Sequence, residues 1–411
     1  MKNYNDILIS SLNNTFYYTN EDLRINIKNG FMLSRKELDE YLSYKDSCKN
    51  KSKVELPLKT FNSKNIYYFK SNELLAYLND YLDFLQNDLK EKNSTIVSEN
   101  FNDIILSRMT SELDGTLRIE GVNTTRKKIL AIVESKNVTN LEEQIISNMY
   151  NGYKFILSKP KFNKENLLKL YKVLSYKSLN EEDEIKDYYR TDMVEIGDHD
   201  GCPVDKITEC MDSLFKFVNS NISKKFSSDM FFLPFIVHYY ILYIHPYMDF
   251  NGRTARMASL WISFLIESEK NLPTYISEAI NDHKNNYYKA IDNTRYSHND
   301  LTYFLTYLIK IANEYYLVYK NISSIKDDLA LIGESITATE IYYLKRIIIN
   351  SNKGWFNYKG FINFCNLDIT KQGALKILNN FLKLNLLESK INSKNEKIFR
   401  LKEEIIKYDM I

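Results

Sequence analysis

The stretch from Ile241 to Trp261, ILYIHPYMDFNGRTARMASLW, gathers residue types that can handle a phosphate ester. His245 is an imidazole whose ordinary pKa suits a general base near neutral pH. Asp249 offers a hard oxygen ligand of the kind Mg2+ prefers, and Asn251 a neutral donor. Gly252, Arg253 and Arg256 follow, the two guanidinium groups being neighbours on one helical face. Guanidinium forks and the free N–H groups of a helix start together hold several phosphate oxygens. Singly, each residue fits an ordinary helix–loop–helix with surface arginines. All six within twelve positions supply a base, a metal ligand, a phosphate cradle and two cations, the requirements of phosphoryl or nucleotidyl transfer.

Two helices must present this loop. Residues Met230 to Ile244 are apolar and helical in pattern, and Pro246 disfavours an α conformation at His245, so the first helix stops there with its imidazole at the loop mouth. A second helix begins near Arg253. His238 lies seven residues before His245, about 10 Å along the axis, too far for one metal ion with bonds of ~2 Å. His238 is therefore read as structural. His199, His283 and His298 have no partner spacing and receive no role.

His245 to Arg256 resembles the signature of the Fic family, H-P-F-x-[D/E]-G-N-G-R-x-x-R. The similarity extends over about residues 100 to 320 and takes in His238 and the segment Asn286 to Ala290. Two positions depart. Tyr247 for phenylalanine is conservative, its hydroxyl alone needing a partner. Phe250 for glycine is not: if the turn needs positive φ it costs about 1 to 3 kcal/mol, and its ring could crowd the phosphates. The resemblance implies transfer of AMP from ATP to a Tyr, Ser or Thr hydroxyl of a protein, with self-modification included. His245 would then take the hydroxyl proton and Asp249 would hold Mg2+. Asn251 and Gly252 would cradle the α-phosphate, Arg253 the β-phosphate and Arg256 the γ-phosphate, with Tyr288 also at the nucleotide.

Thr116 to Gly121, TLRIEG, resembles the family's inhibitory motif, [S/T]-x-x-x-E-[G/N]. In relatives with this layout the glutamate, here Glu120, pairs with the second signature arginine, here Arg256. A carboxylate on a guanidinium competes directly with a phosphate. Tyr188 to Cys202 alternates β-formers and then turns through Gly197 to Gly201, which predicts a β-hairpin projecting from the helices. The resemblance makes it a flap in which Met193, Val194, Glu195 and Ile196 pair with the backbone of the target.

The wider chain fits a mainly α protein. It has 411 residues, 44% apolar, with only 11 glycines and 6 prolines, so tight turns and Gly-rich loops are scarce and long helical runs dominate. Three regions are expected: an α-rich extension over 1–99, a helical core over 100–325 and a distinct unit over 335–411. The first mixes β-like runs at Ile25 to Ile27 and Ile66 to Phe69 with a helical pattern from Glu73 to Leu89. The last carries 13 Lys and Arg against 7 Asp and Glu, so its charge is +6 within a chain of +2 and the remainder stands at −4. Its three helical patterns followed by two β-like runs make a winged helix, with Leu375, Leu378 and Leu382 as a buried stripe. Gln372, Lys376, Asn379 and Lys383 share another face that could enter a DNA major groove. Protein contact is the competing use of that face.

Cys48, Cys202, Cys210 and Cys365 form no C-x-x-C pair and read as free thiols. The amino terminus lacks a signal-peptide pattern, and the most apolar stretch, Phe231 to Ile244, is 14 residues long, too short to span a bilayer. The cytoplasm is the expected compartment, with no membrane partner. A homodimer is compatible with the chain. The alternative function is a Fic core weakened by Phe250, in a regulatory protein acting through its winged helix.

Overall fold

The computed structural model describes residues 53–94, 100–122, 124–135, 137–185, 187–197, 199–222, 228–266, 276–351, 354–365, 367 and 369–407. Cys48, the expected strand at Ile25 to Ile27 and the amino-terminal segment lie outside the described residues. The chain divides into two compact units, Met1–Ala312 and Asn313–Ile411.

The first unit begins with an antiparallel hairpin, β1 (Lys53–Lys59) and β2 (Asn65–Phe69). Only β2 is expected from the sequence; β1, KVELPLK, buries Leu56 and Leu58 by strict alternation and tolerates Pro57 because it pairs on one side alone. Helices α1 (Asn72–Ser94), α2 (Asn100–Ile119), α3 (Arg126–Ser135), α4 (Leu141–Leu157) and α5 (Lys164–Ser175) follow. Asn140 and Asn163 cap α4 and α5 by accepting from the N–H of Glu143 and Asn166. The expected flap is short: β3 (Glu195–Ile196) pairs with β4 (His199–Asp200), and the Gly201 N–H donates to the Val194 carbonyl.

Next come α6 (Val204–Ile222), α7 (Leu233–Ile244), α8 (Asn251–Ile266), α9 (Ile276–Asp282), α10 (Lys284–Tyr296) and α11 (Thr302–Leu331). In α7 every side chain except Leu242 is buried, and Pro234 sits in its first turn, where the missing N–H costs nothing. This central helix packs along α8, whose Trp261 is fully buried and donates to the Pro160 carbonyl. The β1–β2 turn supports the far side of α7: Phe61 stacks on Tyr243 at 4.2 Å, and the Tyr240 hydroxyl donates to the Lys59 carbonyl.

The second unit takes α11 from Asn313 onward and then orders α12 (Ala338–Asn350), α13 (Tyr358–Cys365), α14 (Lys371–Lys383), β5 (Leu387–Ile391) and β6 (Lys397–Leu401). Phe356, between α12 and α13, exchanges both backbone hydrogen bonds with Phe399 of β6. After α11 the element order of this unit is thus helix, short bridge, helix, helix and hairpin. Ala374, Leu378 and Phe381 are the fully buried positions of α14, while Leu375 and Leu382 of the expected stripe are half-buried at its edge. Cys202, Cys210 and Cys365 are free and buried. Among the described residues no helix is long and apolar enough to cross a membrane.

Candidate functional site

The site is built where α7 ends and α8 begins. His245 caps α7 in the left-handed region, φ 52° and ψ 63°, its N–H donating to the Ile241 carbonyl. Pro246 stops the helix as expected, by a left-handed residue in place of an extended one. Five residues on, Phe250 is also left-handed, at φ 63°. A non-glycine residue there costs about 1 to 2 kcal/mol, so one loop holds two strained positions and something must hold each of them.

Arg190, on the approach to the flap, holds the first. It is 3% exposed and its backbone N–H donates to the Pro246 carbonyl. Its Nε donates to the His245 carbonyl at 2.8 Å, Nη2 to the Cys202 carbonyl and Nη1 to the Asp192 carbonyl, both at 2.5 Å. One guanidinium thus ties both ends of the flap to the backbone of the histidine. Nothing in the sequence singles out Arg190, because its partners are all backbone carbonyls and leave no side-chain pattern.

The second strained residue is held by its own side chain. Phe250 is buried, and the Arg253 guanidinium lies over its ring at 3.4 Å, a cation–π contact. The ring therefore lies beneath the arginine, and Arg253 reaches the Asp249 carboxylate only at 3.9 Å. Asn251 brackets the loop from within: its Oδ1 accepts from the Tyr247 N–H and its Nδ2 donates to the Tyr247 carbonyl. The Tyr247 ring stacks on Tyr171 at 3.8 Å. The Tyr247 hydroxyl has no hydrogen-bond partner among the described residues, so the expected need for one goes unmet.

Asp249 is the outward-facing member, with a side chain 60% exposed and its Oδ1 accepting from the Phe250 N–H. Among the described residues no group of three or more His, Cys, Asp or Glu side chains is placed to hold a metal. A lone exposed carboxylate nonetheless fits Mg2+, which keeps several waters and fills its shell with substrate phosphates.

Arg256, one turn beyond Arg253, is 3% exposed and occupied. Its Nη2 donates to Glu120 Oε1 at 2.5 Å and its Nε to Thr116 Oγ1 at 2.8 Å. Thr116 lies in the last turn of α2 and Glu120, four residues on, directly follows its end, so both acceptors face the same fork. Glu120 stands at the helix end because Gly121, at φ 80°, closes it: the Gly121 N–H bonds the Arg118 carbonyl and the Val122 N–H the Leu117 carbonyl, a Schellman motif. Lys284 donates to the terminal Ile119 carbonyl at 2.5 Å. The spacing T-x-x-x-E-G thus has a physical content: two acceptors one turn apart and a left-handed stop. A Cβ on Gly252 would stand 3.0 Å from Glu120 Oε1, so the glycine also makes room for the carboxylate.

The electrostatics follow from burial and charge. Burial pushes His245 down to about 4, against the Leu242 carbonyl, which favours the charged ring; Arg190 also lowers it and Asp249 opposes. The imidazole is therefore neutral and able to accept a proton at neutral pH. For Glu120 burial raises the pKa, but Arg256 outweighs it and the net shift is downward. Burial likewise disfavours charge on Arg256, yet Glu120 leaves it more firmly protonated than usual. Arg253 is shifted down by its burial. His238 is fully buried, neutral down to about pH 3, and hydrogen-bonded through Nε2 to the Tyr287 hydroxyl at 2.9 Å. Tyr288, 46% exposed, lies beside Glu120 and Arg256.

Of the flap residues, Met193 and Glu195 are exposed and Val194 and Ile196 half-buried, as an alternating strand requires. The sequence singles out the residues of the loop together with Thr116 and Glu120; it does not reveal Arg190, which acts on the loop from another element, nor the contact of Tyr287 with His238.

Residues 161–263 match the model of a family described as the Fic/DOC family. Among solved structures, the fold is similar to a Fic family protein from Desulfovibrio desulfuricans G20, at 16% identity over 82% of this chain and 98% of that one, TM-score 0.51. It is also similar to Fic-1, residues 134–508, from C. elegans, at 18% identity over 70% of this chain and 78% of that one, TM-score 0.50. At these identities the likeness is one of fold. No curated protein sequence matches the chain.

Proposed function

The chain carries a Fic/DOC family domain at residues 161–263, and from that premise we propose that it is a protein adenylyltransferase held in check by its own Glu120. The observation that carries the reading is the Glu120–Arg256 pair at 2.5 Å, in which a buried guanidinium at the start of α8 is taken by a carboxylate from another helix. Such a group is an anion site, and a phosphate is the ligand that a carboxylate there would exclude.

In the reaction, the hydroxyl oxygen of a protein Tyr, Ser or Thr attacks the α-phosphorus of ATP. The bond to the β-phosphate breaks, pyrophosphate leaves, and His245 takes the hydroxyl proton. Arg253 faces the β-phosphate with its face fixed on Phe250, Arg256 meets the γ-phosphate once Glu120 withdraws, and Gly252 contributes its N–H. Asp249 would hold Mg2+, which when bound neutralises phosphate charge. Asn251, committed to the Tyr247 backbone, shapes the cradle and has one N–H left for the α-phosphate. Tyr288 offers an open ring to the base, and the β3 edge, Met193 to Ile196, takes the target backbone. Self-modification and a homodimer remain within this reading, in the cytoplasm.

In Glu120→Gly protein, His245→Ala should lower AMP transfer by about 10²-fold or more and leave ATP affinity nearly unchanged. Equal loss of both would remove His245 from the role of base.

A second reading draws on Phe250, whose left-handed, buried position marks a loop altered at its centre. On that reading the core is catalytically weak and the second unit does the work: α14 has no acidic residue and exposes Lys371, Gln372, Lys376, Asn379 and Lys383, a face suited to DNA.

A further inference from the structure

An α-helix leaves its last carbonyls without helical partners, and α7 ends at His245. Three consecutive carbonyls at this end, those of Ile244, His245 and Pro246, are nonetheless all taken, and every donor comes from a root of the flap. The Cys202 N–H donates to Ile244 at 3.3 Å, Arg190 Nε to His245 at 2.8 Å and the Arg190 N–H to Pro246 at 2.9 Å. The flap is thus the cap of the helix that carries the histidine.

Arg190 does most of this capping. Its Nη2 also holds the Cys202 carbonyl, so one side chain spans both roots, while Nη1 holds the Asp192 carbonyl inside the flap. A planar fork with three donor nitrogens can serve three carbonyls at once, which the single nitrogen of a lysine cannot. Its positive charge also suits the negative end of α7. Space is kept for the fork: a Cβ on Gly201 would stand 2.9 Å from Arg190 Nη2 and 2.7 Å from Val194 Cγ2. Gly201 is not left-handed, so room and not backbone calls for glycine there.

We propose that Arg190 is a positioning residue for His245: by capping α7 with the roots of the flap it fixes the imidazole and the target-bearing strand as one body, so that a hydroxyl delivered on β3 meets the base at a set place. The inference rests on the reading of His245 as the base and of the flap as the docking edge. None of the Arg190 partners lies on α8, which supplies Asn251, Gly252, Arg253 and Arg256. A change at Arg190 should therefore separate transfer from ATP binding.

The test uses full-length Glu120→Gly protein, self-labelling with Mg2+ and ATP labelled at the α-phosphate, and calorimetric titration with ATP. Arg190→Lys, which keeps the charge but has one donor nitrogen, should slow labelling by about tenfold or more and leave ATP affinity within about threefold. Gly201→Ala, which crowds Nη2, should give a smaller loss of the same kind. When His245→Ala is already present, adding Arg190→Lys should change labelling by no more than about threefold, because the group it aims is gone. Losses that multiply would overturn the proposal, since Arg190 would then act apart from the histidine. Unchanged labelling in Arg190→Lys would also overturn it, as would ATP affinity falling in step with labelling, the mark of general disruption. If His245→Ala alone labels as fast as its parent, the base reading itself fails and the proposal falls with it.

Discussion

Phe250 is the residue at which sequence and structure speak most directly to each other. From the sequence, a phenylalanine in a phosphate turn reads as an intruder, and glycine there would be an improvement. The backbone does adopt the positive φ that makes the side chain costly, but the ring is buried under Arg253 at 3.4 Å. Glycine would recover about 1 to 2 kcal/mol of left-handed strain and lose a cation–π contact of about 0.5 to 2 kcal/mol. It would also lose the burial of a large ring, about 1.5 to 3 kcal/mol. Phe250→Gly should therefore lower the melting temperature. In the Glu120→Gly background it should reduce AMP transfer, because Arg253 loses its platform. A rise in transfer would show the ring to be a brake and favour the weakened-core reading.

The same scale shows what could be read in advance. His245, Asp249, Arg253, Arg256 and Glu120 were legible because their chemistry is in their side chains and their spacing is local. Arg190 was not, since it binds four backbone carbonyls that no residue type reports.

Among the elements, α2 is the one on which the proposed regulation turns, and it is fastened by more than the Glu120–Arg256 pair. A Cβ at Gly115 would meet the Glu278 nitrogen at 2.4 Å, so α2 crosses α9 with no room for a side chain. One turn earlier Glu112, fully buried, accepts from the N–H and hydroxyl of Ser277. Burial raises Glu112 to about 7 from 4.5, the Ser277 hydrogen bonds opposing. The folded state therefore keeps a proton that the unfolded chain has released, and the associated stability, full below about pH 4.5, is lost as pH rises toward 7. At about 1.4 kcal/mol per pKa unit the loss is on the order of 3 kcal/mol. His238 and His245, lowered from 6.5, act in the opposite sense, their contribution falling away as pH drops below 6.5. Urea unfolding of Glu112→Gln against wild type at each pH isolates the carboxyl: the variant should gain on wild type between pH 5 and 7.5. A constant difference across that range would show that Glu112 does not hold its proton. Helix α2 itself was legible only in its last turn, because its Gly115 crossing depends on a helix some 160 positions away.

At the scale of the whole molecule, the helical class and the order of the second unit were legible from periodicity, composition and charge. Helix α7 was marked by its apolar run. The β1–β2 hairpin was half missed, since Pro57 and a short run hide β1 while its role, bracing Tyr240 and Tyr243, is a tertiary matter. What unites these parts in our account is one equilibrium: Arg256 bound to Glu120, or Arg256 free for a phosphate. The direct measurement is self-labelling of purified full-length protein with Mg2+ and ATP carrying its label at the α-phosphate, with γ-labelled ATP in parallel, for wild type, Glu120→Gly and Glu120→Gly with Arg256→Ala. The account predicts weak α-label incorporation in wild type, a rise of about tenfold or more in Glu120→Gly, loss of that rise in the double variant, and no γ-label in any. Equal incorporation in wild type and Glu120→Gly, or transfer of the γ-label, would contradict it.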